Sequence, residues 1–268
     1  MTAIAVGVLA GERSGPSEIS EAEAVPLKVL VDIGGLPMLR RVLAVAGTAR
    51  RDAPLYVCGP GEHQLAAAPW LGEDAERIGL RWLPPGSSPS RSARAVVDAA
   101  AADGVPVVAL TTGDHPLLTA ATFERFVADA VATGADAVVG LASYDAVRRA
   151  YPHSRRTALR FADGARCGCN LFLFRSPRAA SVLEFWQRVE GLRKQPHKIL
   201  GALGGGFVAR YLAGRLTLEA ALARLGELTG ARIAVAPVAD PDAAVDVDNL
   251  EDLATVRARW ARREAGTP

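Results

Sequence analysis

Ile4-Ala5-Val6-Gly7-Val8-Leu9 runs directly into Ala10-Gly11-Glu12-Arg13-Ser14-Gly15. After a polar spacer comes Val25-Pro26-Leu27-Lys28-Val29-Leu30-Val31-Asp32-Ile33-Gly34-Gly35-Leu36-Pro37-Met38-Leu39. The first six residues form a short continuous apolar run, the pattern of a strand covered on both faces. A small-residue loop after such a strand lets backbone N–H groups approach an anion. Arg13 and Lys28, brought to the same place, add the positive charge that a triphosphate requires. Neither a G-x-x-x-x-G-K-[ST] string nor a G-x-G-x-x-G spacing is present, which disfavours a kinase-like P-loop and a dinucleotide site.

Outward from this stretch, strand-like and helix-like patterns alternate, the signature of a parallel sheet covered by helices. Apolar runs at 55–58, 80–83, 106–111 and 137–141 read as strands. A helix is predicted from Pro37, at its first position, to about Ala49, another from a Ser90 cap to about Ala102, and a third over 120–133. The pattern then changes. Residues 144–175 read as a short helix, a polar loop, and two strands joined by an Asp163-Gly164 turn. From 177 to 228 the chain is mostly helical, interrupted at Gln195-Pro196-His197 and Gly204-Gly205-Gly206, and it returns through strands at 232–236 and 244–247. A final helix is capped by Asn249, with Asp252 three residues on.

One domain spanning 1–268 is therefore expected, with a first half at 1–143, an excursion at 144–230, and returning strands with a C-terminal helix at 231–268. The fold class is α/β, three-layered, with a mostly parallel sheet flanked by helices. Half of the 268 residues are hydrophobic, enough for a sizeable core. Lys and Arg total 31 against 29 Asp and Glu, so any anion site is local, and neither nucleic acid nor a membrane is an expected partner. Three cysteines do not describe a disulfide framework. The N-terminus lacks a charged signal region and no apolar run approaches membrane-spanning length, so a cytoplasmic location is expected.

The opening segment resembles the signature of the MobA-like nucleotidyltransferases, a family with a GT-A-type fold, in the form L-A-G-G-x-R, P-x-K-x-L and G-x-P-M-L. Leu9-Ala10-Gly11, Arg13, Lys28, Leu30, Gly35 and Pro37-Met38-Leu39 match it, while Glu12 stands where the family usually has a second glycine. The resemblance implies an NTP and a small-molecule acceptor as substrates, with Mg²⁺ as cofactor. An NMP unit would pass to a phosphorylated acceptor and pyrophosphate would leave. A glycosyltransferase using a nucleotide sugar, or a nucleotide-binding relative with weak catalysis, remain alternatives on the same fold.

Gly113-Asp114-His115-Pro116 follows an apolar strand, which places Asp114 at the carboxyl end of the sheet, where open α/β folds bind ligands. In the family this G-D-x-P aspartate holds Mg²⁺. The string Asp246-Val247-Asp248-Asn249-Leu250-Glu251-Asp252 resembles the family's late D-x-D-x-x-E-D-L, making Asp248 the second metal ligand and Asp246 its support. Mg²⁺ needs only one or two protein carboxylates, so two aspartates distant in sequence suffice. The resemblance further assigns Leu9, Ala10, Gly11, Arg13, Lys28, Ser92 and Asp114 to the nucleotide, with Lys28, Arg13 and Asp114 catalytic. Ser90 shares the Ser92 segment, and Arg155, Arg156, Arg160 and Asn170 fall on the acceptor side.

Overall fold

The computed structural model describes residues 2–11, 17–154, 156–175, 177–192 and 203–266. Its strands are β1 (Ala5–Leu9), β2 (Asp32–Ile33), β3 (Leu36–Pro37), β4 (Leu55–Cys58), β5 (Leu80–Leu83), β6 (Val107–Thr112), β7 (Ala137–Ser143), β8 (Leu159–Phe161), β9 (Gly164–Arg175) and β10 (Ile233–Val238). β2 and β3 form a small antiparallel ribbon, and the others make one sheet in the order β10-β7-β9-β6-β1-β4-β5, with β8 paired to β9. β1 lies parallel to β4 and β6, β4 to β5, and β7 to β10, whereas β9 runs against β6 and β7.

The alternation along β1 shows why the sheet is covered twice. Val6 and Val8 pack into a core with α2 (Met38–Thr48) and α5 (Ala120–Thr133). Ala5 and Leu9 pack on the opposite face with α4 (Pro89–Ala102) and α7 (Ala179–Leu192). The remaining helices are α1 (Glu18–Ala22), α3 (Trp70–Ile78), α6 (Tyr144–Ala150), α8 (Gly205–Leu212), α9 (Leu218–Thr229) and α10 (Leu250–Glu264). The result is the three-layer, mostly parallel α/β architecture expected from the apolar runs. No helix among the described residues is long and apolar enough to cross a membrane.

Local chemistry sets the boundaries. Thr119 caps α5 by accepting from the Thr122 N–H at 3.2 Å, and Gly134 ends it with φ +61°. Asn249 caps α10 by accepting from the Asp252 N–H at 2.9 Å. Two expectations shift. α4 is capped by Ser88, not Ser90, because Pro89 fits the first helical position, where no N–H is needed; Ser90 is then fully buried inside the first turn. The second returning strand, at 244–247, does not form. Asp240 accepts from the Asp242 N–H at 3.0 Å and Pro241 fixes a 3₁₀ turn over Pro241–Ala244, after which the chain makes a single strand-like bond, Val247 N–H to Asp114 O at 3.0 Å. Gln195-Pro196-His197 lies outside the described residues.

The crossing of the β1 and β4 ends is close. Gly59 has φ +93°, and a Cβ there would sit 2.7 Å from the backbone nitrogen of Gly11. Gly59→Ala is therefore expected to destabilise the protein by about 1–3 kcal/mol, read as a lower midpoint in urea unfolding. An unchanged midpoint contradicts the close approach.

Candidate active site

The carboxyl ends of β1 and β6 open into a cleft of about 690 Å³, to which the β5–α4 loop, β9, α7 and residues 246–248 also contribute walls. Lys28 reaches it from a 3₁₀ turn (Lys28–Leu30) anchored by buried Leu27, Val29 and Leu30. Its Nζ lies 2.9 Å from Asp114 Oδ2, 2.9 Å from Asp248 Oδ1 and 2.8 Å from the Val247 carbonyl oxygen. Burial by itself would lower the Lys28 pKa, but the charges of Asp114 and Asp248 outweigh it and hold the ammonium above the usual lysine range.

Asp114 sits just past the last residue of β6. The Thr112 hydroxyl donates to its Oδ1 at 2.6 Å, and His115 Nδ1 lies 3.2 Å from the same oxygen. Burial alone would raise its pKa; His115, Lys28 and Thr112 together overcome this and hold the carboxyl well below the usual range. It therefore stays ionised at any working pH and suits a cation ligand rather than a proton donor. Asp248, its partner, is the more exposed, at 65% of its side chain.

Arg156 organises the carboxylate segment from behind. Its guanidinium bonds Asp246 Oδ1, the Asp246 carbonyl at 3.0 Å and Asp252 Oδ1 at 2.6 Å, with only 9% of the side chain exposed. Asn170 donates to Asp246 Oδ2 at 3.4 Å from the strand opposite. It occupies the left-handed region at φ +48°, where β9 bulges between the partners of Val139 and Leu141. Asparagine tolerates that conformation better than most residues. On the other wall, Ser92 Oγ accepts from the Gly86 N–H at 2.9 Å, and a Cβ at Gly86 would stand 2.8 Å from the Ser92 nitrogen. Phe172 and Trp186 pack with ring centroids 5.3 Å apart, and the buried Ser90 hydroxyl donates to Glu190.

A model of the MobA-like NTP transferase domain matches residues 7–199. The chain belongs to this family. Among solved structures it is similar to a hypothetical transferase from Thermus thermophilus, with TM-score 0.73 and 26% identity over 94% of this chain and 100% of that one. It shares its fold with a CMP:2-keto-3-deoxy-manno-octonic acid synthetase complexed with CTP (TM-score 0.58, 16% identity, 98% and 99% covered). A 4-diphosphocytidyl-2C-methyl-D-erythritol synthase from Anaerococcus prevotii shares it as well (0.57, 12%, 97% and 97%). No curated protein matches in sequence.

In this nucleotidyltransferase, Leu9, Gly11, Lys28, Ser92, Asp114, Asn170, Asp246 and Asp248 line one cleft. Ala10 lies beneath it, its N–H bonded to the Cys58 carbonyl at 2.8 Å. Arg13, Glu12 and Arg155 lie outside the described residues. Arg156 turns to Asp246 and Asp252 instead of presenting its guanidinium to the cleft, because two carboxylates meet it there. Arg160 sits away from the cleft, over the Tyr144 ring at 5.7 Å. Sequence reading passed over Thr112, Phe172, Trp186 and Glu190; the one available signal was Trp186 and Glu190 standing four residues apart, on one helix face.

Arg156→Met leaves the buried Asp252 carboxylate, and half-buried Asp246 beside it, without their cation and is expected to cost about 3 kcal/mol of stability at neutral pH. The Asp252 carboxyl is already raised by burial, against the pull of Arg156. Without the arginine it rises further above its unfolded value, so the folded state holds the extra proton. The deficit should thus shrink as pH falls toward about 4. Urea unfolding at several pH values checks this, and a deficit that grows in acid contradicts the pairing.

Proposed function

We propose that the protein transfers an NMP unit from an NTP to a small-molecule acceptor, with Mg²⁺ as cofactor and pyrophosphate as leaving group. The observation that carries this reading is the convergence of Lys28, Asp114 and Asp248 at the carboxyl ends of β1 and β6. Two carboxylates and a carbonyl oxygen directed at one point suit a hard divalent cation that keeps the rest of its shell for water and phosphate. No group of three or more His, Cys, Asp or Glu is arranged as a metal site among the described residues. Asp114 and Asp248 would hold the ion, which when bound offsets the charge developing on the phosphates.

The chain's own contribution is placement and fixed charge. Gly11 and the Lys28 ammonium, both lining the cleft, receive the triphosphate, joined by Arg13. Ser92 fixes the Gly86 loop that bounds the nucleoside end. Asn170, Phe172, Trp186 and Glu190 form the acceptor wall, and an acceptor oxygen there attacks the α-phosphorus as the bond to pyrophosphate breaks. Among the described residues this wall carries no cation, so a hydroxyl-bearing acceptor with an apolar face suits it; the expectation of a phosphorylated one rests on Arg155.

Pyrophosphate release in the presence of Mg²⁺, the NTPs and a panel of hydroxylated and phosphorylated acceptors tests the reading. Asp114→Asn and Asp248→Asn are each expected to cut the rate by about 10²-fold or more. Rates matching wild type in both variants, or no release with any pair, contradict it.

A further inference from the structure

The Lys28 ammonium does not simply face the cleft. It stands between the two carboxylates that the proposed reading gives to the metal, 2.9 Å from each, and takes the Val247 carbonyl as a third oxygen at 2.8 Å. An ammonium carries three donors and no acceptor, so oxygens gathered around it suit it well. Lys28 lies 219 and 220 residues from Val247 and Asp248 in sequence, so this one charge closes the front of the site. A divalent cation placed between Asp114 and Asp248 would lie against the same ammonium, and like charges at that range in a partly buried site repel strongly. The lysine stem is a flexible four-carbon chain and its ammonium is a point charge without fixed geometry, so it can follow a new anion once the charge of the two carboxylates is otherwise offset.

We propose that Lys28 is a displaceable internal cation: its ammonium holds the Asp114–Asp248 pair until a nucleotide phosphate draws it away and a divalent ion replaces it. The inference rests on the proposed function. Its consequence is that metal and nucleotide bind cooperatively, each strengthening the other by the same factor. Metal alone competes with a tethered cation and binds poorly. Nucleotide alone must strip the lysine from two carboxylates and leave them facing each other.

Mn²⁺ without nucleotide, followed by electron paramagnetic resonance, tests this directly. Wild type is expected to bind Mn²⁺ weakly, and Lys28→Met, which keeps the stem and removes the charge, to bind it roughly tenfold tighter or more. The added Asp114→Asn substitution in Lys28→Met should abolish the gain. Mn²⁺ should also raise the melting temperature of Lys28→Met and leave that of wild type unmoved. Equal or weaker Mn²⁺ binding by Lys28→Met overturns the proposal, and so does tight Mn²⁺ binding by wild type alone, a result that does not depend on the variant folding. If the proposal fails while Asp114→Asn still suppresses pyrophosphate release, the functional reading stands. If no variant binds Mn²⁺ and no pyrophosphate forms, both fall.

Discussion

Two carboxylates from distant parts of the chain meet at one ammonium, and much of the architecture exists to make them meet. Asp114 is carried by a strand end in the centre of the sheet. Asp248 arrives from the last stretch before the C-terminal helix. The bond from the Val247 N–H to the Asp114 carbonyl sets their separation, and Lys28 neutralises what would otherwise be a repulsive pair.

Behind this front, two arginine clamps hold residues 240–252 in place without a strand. Arg156 binds Asp246 and Asp252, so the turn into α10 cannot drift. Asp242, almost fully buried, receives Arg259 Nε at 3.0 Å, Arg263 and the Tyr151 hydroxyl, while Arg263 also reaches the Leu117 carbonyl at 2.8 Å. Buried ion pairs of this kind add little net stability compared with apolar packing, but removing one partner is expensive. Their effect is to fix a geometry. An irregular segment so held presents Asp246 and Asp248 together in the cleft, although the ladder that would usually ensure it is absent.

The parts legible in the sequence are those governed by local chemistry. The buried strands, the bounds of α5, the Asp163-Gly164 turn and the Asn249 cap each follow from a few adjacent residues, and the fold follows from their alternation. The Lys28, Asp114 and Asp248 cluster was legible through the motif each sits in. Three features depended on long-range partners and were not. Arg156 reads from its loop as an acceptor-side arginine, and only Asp246 and Asp252, distant in sequence, turn it into a clamp. Ala244–Val247 resembled a strand, but Pro241 and the Asp240 side chain turn the chain beforehand, so only one ladder bond forms. Asn170 is legible as an acceptor-side residue, but the bulge of β9 against β7 that carries it is decided by pairing rather than by composition.

The most direct measurement is a crystal structure with a non-hydrolysable NTP analogue and Mg²⁺ bound. Asp114 and Asp248 are expected to hold the ion, with the Lys28 ammonium on the phosphates. A structure in which Lys28 still bridges the two carboxylates, with nucleotide and metal bound elsewhere, would contradict it.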